Sequence, residues 1–440
     1  MAPWYGDAAR LGRRPGVEAL TCAAAGLGAR SAGARDPIVA PPLPPRCLNT
    51  GAFDSRVSEA PYQGTAPYAI EGACDARFAS LREAFAAGFA APAAQRETGA
   101  ALCVILGGRV VVDLWGGYRD ATEGLPWQRG TRVNMMSVGK AMLALTVHIL
   151  ADRGALDLDA PVARLWPEFA ASGKQDLRLR WLLDHRAGLP HAAGAAAGEA
   201  HDWDSMVARL AAQAPLWEPG TTPCYHTLTY GFLLGEVVRR ATGLRFADAF
   251  RRMVAAPLDA AYGFCLDAGE QAECATFFLP PGGAAGPGSL ASKAHAGLDT
   301  TEDRNSAAHR AAELYAVNGH GTVRGIARIY AALAAGGTLD GVRLLSGEAL
   351  SRATAEQWRG AEALTGKASR MALGFRLPDA NTMVGPGPRA FGHGGRGGAI
   401  AFADPDLQLA FAYAPGRAFP GGSGESPHAR RMRDAIHACL

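Results

Sequence analysis

The sequence predicts an α+β fold: an α/β sandwich whose antiparallel sheet is flanked by helices, with a largely helical lobe set between the sheet-forming segments. Three observations predict it. Ala101-Leu-Cys-Val-Ile-Leu106 and Val110-Val-Val-Asp-Leu-Trp115 are β-rich runs joined by Gly107-Gly108-Arg109, the pattern of a hairpin, and their unbroken apolar character implies cover on both faces. Near the other end, Phe391–Phe402 and Leu409–Tyr413 flank Ala403-Asp-Pro-Asp406, a type I turn sequence with Pro after the opening Asp. Helix patterns precede, separate and follow these strand pairs, so the sheet is packed against helices.

Taken in order, residues 1–66 are rich in Ala, Gly, Pro and Arg, include Pro41-Pro-Leu-Pro-Pro45 and have no sustained period; they read as a disordered extension. Phe78, Leu81, Phe85 and Phe89 give an amphipathic helix over about Asp75–Ala91, and Gly116-Gly117 closes the first hairpin. Asn134–Gly154 is an apolar helix ending in Asp-Arg-Gly, with Gly available for the left-handed cap. Leu177–His185 reads as a short helix, 191–215 as helical and exposed, Gly231–Thr242 as an apolar helix, and 266–310 as a long irregular loop. Asn318–Arg324 opens a helix marked by Ile326, Ile329, Tyr330 and Leu333, and Pro427–Leu440 closes the chain as a helix. The domain so outlined is 67–440, its helical lobe roughly 155–335.

Bulk properties exclude several classes. A formal charge of +3 without a basic, aromatic-interleaved cluster argues against a nucleic-acid surface. No apolar run reaches the length of a membrane span. The eight cysteines are scattered, with no Cys-x-x-Cys pair, so they imply neither a zinc site nor a disulfide framework. A reducing, cytoplasmic setting is the simpler expectation. Arg13-Arg14 followed by Val17–Ala25 gives export as the alternative, although Pro15 and Glu18 break the apolar region.

Chemistry concentrates at Ser137-Val-Gly-Lys140. A spacing of three puts both side chains on one helix face, and Lys140 is the only full-time charge between Ser137 and Asp152. An ammonium in apolar surroundings beside a positive helix end tends to lose its proton, and a neutral amine can activate a serine. With 15 serines and four lysines in the chain, chance supplies roughly 0.1 such matches. Almost every other base is Arg, which cannot deprotonate. Tyr225-His226-Thr227 stands in the loop before the 231–242 helix, where a phenol could relay protons; the plain alternative makes Tyr225 a packing aromatic and His226 a solvent-facing turn residue. His393-Gly394-Gly395 lies in a glycine-rich strand that another backbone or a ligand can approach closely, with a backbone N–H able to bind an oxyanion. His185, beside a helix end, reads as structural, and His320, flanked by glycines, as solvated.

In this order the three elements Ser137-x-x-Lys140, Tyr225-His226-Thr227 and His393-Gly394-Gly395 resemble the serine β-lactamase and penicillin-binding-protein superfamily, above all class C-like β-lactamase-related proteins and family VIII carboxylesterases. Leu182–Pro190 and Trp217-Glu-Pro-Gly220 fit the same resemblance, and no Gly-x-Ser-x-Gly elbow competes with it. The resemblance implies a β-lactamase/DD-peptidase-like fold, with Ser137 as acylated nucleophile, Lys140 as its base partner and Tyr225 as the tyrosine of a Tyr-x-Asn element in which Thr227 replaces Asn. His393-Gly394-Gly395 would replace Lys-Thr-Gly, and the N–H groups of Ser137 and Arg396 would form the oxyanion hole. Losing that lysine and that Asn amide weakens the case for β-lactams and peptides, so carboxylic esters become the expected small-molecule substrates. No metal or cofactor is required. The alternatives are an amidase, D-amino-acid peptidase or weak β-lactamase, and, from another class, a catalytically silent ligand-binding or scaffold protein.

Overall fold

The computed structural model describes residues 68–278, 286, 288–299, 301–379, 384–385, 387–419 and 426–440; the expected N-terminal extension, 1–66, lies outside them. Strands β1 (Ile70–Cys74), β2 (Gly99–Leu106), β3 (Arg109–Asp120), β4 (Phe391–Gly394), β5 (Ile400–Asp404) and β6 (Leu409–Pro415) run in the order β1-β3-β2-β6-β5-β4, with Leu125–Pro126 as a seventh short strand on β3. Every pairing is antiparallel. Chain segments more than 280 residues apart thus meet at the centre, where β2 pairs with β6 from Leu106↔Leu409 to Ala100↔Pro415.

Alternation along β6 explains the layers. Leu409, Phe411 and Tyr413 face a core shared with the helices Ala79–Phe89 and Pro427–Cys439, through Leu81, Phe85, Phe89, Met432 and Ile436. Ala410, Ala412 and Ala414 face the opposite core with the helix Val323–Ala334. Strand β5 repeats the pattern, Ile400 and Phe402 against Ala401 and Ala403. Side chains of successive strand residues point to opposite faces, so one face is filled by large residues while methyl groups let a helix lie close on the other.

A buried acid completes the first face. Glu97 is out of solvent, its Oε1 accepts a hydrogen bond from the Tyr413 hydroxyl, and burial pushes its carboxyl up to about 8.

Four expectations change. Gly116 and Gly117 do not end β3, which continues to Asp120. A Cβ at Gly117 would stand 2.3 Å from the Thr98 carbonyl oxygen, so the glycine permits a close crossing inside the strand. The 191–215 stretch holds one turn at Glu199–His201 and a helix at Trp203–Ala212 that buries Trp203, Met206, Val207 and Leu210, an amphipathic element and not an exposed one. The 266–310 stretch contains short helices at Ala268–Ala272, Leu290–Lys293 and Ala307–Ala311, the first started by a reciprocal Asp267/Glu270 capping box. His320 is buried in a two-residue strand, His320–Gly321, that pairs with Val133–Asn134.

No helix of the described residues is long and apolar enough to cross a membrane.

Candidate active site

The helix Gly139–Asp152 is buried all the way from Gly139 to Leu150. It is entered through a tight turn, Met136–Val138, in which Met136 has φ 49°. A methionine in this left-handed region costs on the order of 1 kcal/mol and needs outside support. Asn134 supplies it: its Oδ1 accepts the Met136 N–H at 2.6 Å, and its amide donates to Asn318 Oδ1 at 3.4 Å. The Met135 N–H also donates to the Gly319 carbonyl at 2.9 Å. Held this way, Ser137 is buried with its hydroxyl 3.0 Å from Lys140 Nζ.

Lys140 is fully buried and also donates to the Ala316 carbonyl at 2.8 Å. Burial first, and repulsion by Arg376 second, hold its amine well below the ordinary lysine range. A neutral amine has two N–H bonds and one lone pair. With one N–H on Ala316, the lone pair can face the Ser137 proton.

Tyr225 closes the group. Its ring centroid lies 4.9 Å from Lys140 Nζ, and its buried hydroxyl finds no well-aligned partner among the described residues. Burial pushes the phenol up to about 12, against opposing pulls from Arg376 and the neighbouring Ser137 hydroxyl, so it keeps its proton. Two histidines hold this loop. The His226 N–H donates to His185 Nδ1 at 3.1 Å; His226 Nδ1 pairs with the Cys224 carbonyl at 2.7 Å, and its Nε2 accepts the Leu189 N–H at 3.2 Å. That arrangement requires a neutral ring, and burial lowers His226 to about 4. The Tyr225 N–H is bound at 3.0 Å by the buried carboxylate of Glu362.

On the facing wall, β4 brings His393 to 6.1 Å, ring to ring, from Tyr225. A Cβ at Gly395 would lie 2.2 Å from the Met135 carbonyl, so the chain after β4 runs against the nucleophile's turn. The N–H groups of Ser137 and Arg396 donate to no acceptor among the described residues.

The Beta-lactamase family model matches residues 81–434. The chain belongs to the beta-lactamase family. Within it, the chain is 35% identical over 364 residues to the esterase/beta-lactamase LipL of Mycobacterium tuberculosis, covering 79% of this chain and 83% of that protein. Among solved structures, it is similar to a family VIII carboxylesterase (38% identity, TM-score 0.77) over 84% of this chain and 100% of that one. It is equally similar in extent to a penicillin-binding protein homolog from Caulobacter crescentus, with 35% identity and TM-score 0.78 over 84% and 100% of the two chains.

Ser137, Lys140, Tyr225 and His393 come together in a beta-lactamase-family fold. His393 is fully buried and neutral, held well below the usual histidine range by burial, Arg376 and Lys140; its Nδ1 pairs with the Gly394 carbonyl at 2.8 Å. It supplies no positive charge. Thr227 is half-buried, and its hydroxyl has no partner among the described residues. His226 is buried, not solvent-facing.

Sequence reasoning missed Arg376 and Glu362. Arg376 Cζ stands 5.4 Å from the Tyr225 ring centroid, and its backbone exchanges hydrogen bonds with Gly392 at 2.8 and 3.1 Å. The preceding Gly374 allows this approach, since a Cβ there would meet Ala144 of the Ser-Lys helix at 2.1 Å. Arg376, Glu362, His185, Tyr225, Trp358, Ser369 and Met371 line a pocket of about 190 Å³, including the part open to solvent. The Leu373-Gly-Phe sequence was the available signal, an apolar run broken by a glycine; it marks a close contact without saying against what.

Proposed function

We propose that the protein is a serine carboxylesterase that works through an acyl-enzyme on Ser137. The observation that carries this is the 3.0 Å contact between Ser137 Oγ and a fully buried Lys140 whose amine is held well below the ordinary lysine range by burial and Arg376. In this reading the Lys140 lone pair accepts the Ser137 proton as Oγ attacks the ester carbonyl. The charge that develops on the carbonyl oxygen is met by the N–H groups of Ser137 and Arg396. Tyr225, which holds its proton, stands beside both groups and passes a proton to the departing alkoxide, to be replenished from the Lys140 ammonium. Water then attacks the acyl carbonyl with Lys140 again accepting the proton, and the Lys140 ammonium returns it to Ser137 Oγ as the acyl C–O bond breaks and the acid leaves. The opposite shifts of the two groups, amine down and phenol up, support Lys140 as the base and Tyr225 as the donor.

Ester preference follows from His393. A neutral ring where the superfamily carries a lysine offers no charge for the carboxylate of a β-lactam or a peptide terminus. We further infer a reducing, cytoplasmic setting, supported by free Cys74, Cys103, Cys224, Cys265, Cys274 and Cys439; cell fractionation checks it. The enzymatic test compares p-nitrophenyl butyrate, nitrocefin and a D-Ala-D-Ala peptide, with Ser137→Ala as control and a fluorophosphonate to trap the nucleophile. Ester turnover and labelling that vanish together in Ser137→Ala are expected. Labelling that persists in that variant removes the nucleophile assignment, and turnover of the peptide alone removes the esterase.

A further inference from the structure

We propose that His201, Glu302 and His309 form a binding site for a divalent transition-metal ion, Zn2+ by ligand chemistry, which braces the loop leading to the nucleophile's turn. Glu302 Oε1 lies 2.9 Å from His201 Nε2 and 3.1 Å from His309 Nδ1, and the three donor atoms all fall within 4.8 Å of one another. Tetrahedral Zn2+ at usual bond lengths spaces its ligand atoms by about 3.3 Å, so small side-chain movements complete the shell. Two imidazoles and one carboxylate are a donor set that suits zinc and its neighbours better than Ca2+ or Mg2+.

A second observation points the same way. The His309 side chain is 3% exposed, and its Nδ1 is buried without an acceptable hydrogen bond among the described residues, although a carboxylate oxygen lies 3.1 Å away. The contact has the distance of a hydrogen bond and not its direction. A metal ion between the two atoms satisfies both. His201 and Glu302 are 30% and 19% exposed, which leaves one side for entry of the ion and for water ligands. The ligands are held in place: Ser306 Oγ accepts the His309 N–H at 3.1 Å, and the Ala200 N–H donates to the Gly297 carbonyl at 2.9 Å, tying the His201 turn to the Glu302 loop.

The site has a route to the Ser137 turn. The His309 carbonyl accepts from Asn318 Nδ2 at 2.5 Å, Asn318 Oδ1 accepts from Asn134, and Asn134 Oδ1 holds the strained Met136 N–H. None of the three ligands hydrogen-bonds Ser137, Lys140 or Tyr225 among the described residues, so the ion is a brace and takes no part in acyl transfer. The ligands are separated by 100 and six intervening residues, a spacing that matches no short metal motif.

The test uses the full chain after dialysis against EDTA. Titration with ZnCl2 by calorimetry is expected to show one equivalent bound and a thermal midpoint that rises with free Zn2+. His201→Ala and Glu302→Gln, both at the partly exposed side and tolerable to the fold, are expected to weaken binding by at least about 100-fold. Co2+ is expected to give a visible spectrum without thiolate charge-transfer absorption. The proposal is overturned if the parent chain binds no equivalent, if both variants bind as tightly as the parent, or if the Co2+ spectrum carries the thiolate band of a cysteine site. None of these readouts requires turnover, so the outcome stands apart from the esterase reading.

Discussion

Two of the four lysines are out of solvent, Lys140 and Lys174, and each faces an aromatic ring, at 4.9 Å for Tyr225 and 5.3 Å for Phe169. They differ in the other groups around the amine. Lys174 Nζ donates to the carbonyls of Ala171, at 2.7 Å, and of Gln213, just past the C-terminus of the Trp203–Ala212 helix. Carbonyl acceptors at a negative helix end favour a charged donor. Lys140 stands at the opposite kind of place, in the first turn of its helix, with one carbonyl, one hydroxyl that is itself a donor, and Arg376 repelling it. Burial lowers both amines, but Lys140 much further. Burial is the main cause in both, and the neighbours add to it: Arg376 pushes Lys140 further down, whereas Lys174 has two carbonyl acceptors and no repelling charge among the causes of its shift.

This contrast can be broken at several levels. The largest effect is expected from Lys140→Arg, which keeps the charge but cannot release a proton: kcat on p-nitrophenyl butyrate should fall by about 10³-fold or more, while Lys174→Arg stays within a few-fold of the parent. Retention of a tenth of the activity in Lys140→Arg would erase the distinction. Next, Tyr225→Phe should lower kcat by about 10²-fold with the fold intact by circular dichroism, the scale of one lost proton donor.

A methionine swap tests stability in place of rate. Lys174→Met leaves buried carbonyls without donors and should lower the thermal midpoint by roughly 5 °C. Lys140→Met also leaves the Ala316 carbonyl without its donor, but it removes the larger penalty of the more depressed amine, so its midpoint should fall less than that of Lys174→Met. A group whose folded pKa is depressed costs stability at every pH below its unfolded value, and the neutral side chain removes that cost. Equal losses in the two variants would sink the argument.

The smallest effect belongs to Arg376→Gln. Removing the repelling charge raises the Lys140 pKa, so the acidic limb of kcat/KM should move to higher pH, with more activity lost at pH 6 than at pH 9. An unmoved limb would mean that burial alone tunes the amine.

What could be read from the sequence was local. Ser137 and Lys140 announce themselves because three residues along a helix make two side chains neighbours whatever else the chain does. The hairpins were legible in Gly107-Gly108, both at positive φ, and in Asp404-Pro405, since turn chemistry is carried by the turn residues themselves. What escaped depended on partners far along the chain. Glu362 reaches the Tyr225 N–H across 137 positions, Arg376 is laid on Tyr225 by contacts with Gly392 and Ala144, and Asn318 meets Asn134 across 184. His226 and His320 looked like solvated loop residues because the contacts that bury them come from afar: His226 meets Leu189 and His185, and the His320 strand pairs with Val133–Asn134. Lys174 has Ala171 and not a serine three residues before it, which sets it apart from Lys140, but nothing around it in the sequence shows that it is buried.

The carboxyl sealed under the terminal helix sets a boundary on all of this. Glu97 ionises near 8 in the native protein against 4.5 for a free side chain, so its contribution to stability is complete below the lower figure and drains away as pH climbs through the upper one. In the proposed mechanism acyl transfer needs an unprotonated amine and gains from rising pH, whereas the stability lent by the sheet's acid is lost as pH rises from 4.5 to about 8. The two titrations pull in opposite directions, and the alkaline ceiling on activity should come from the scaffold, not the chemistry. Glu97→Gln is expected to raise that ceiling, read as a higher thermal midpoint at pH 9 with the acidic limb of kcat/KM unmoved.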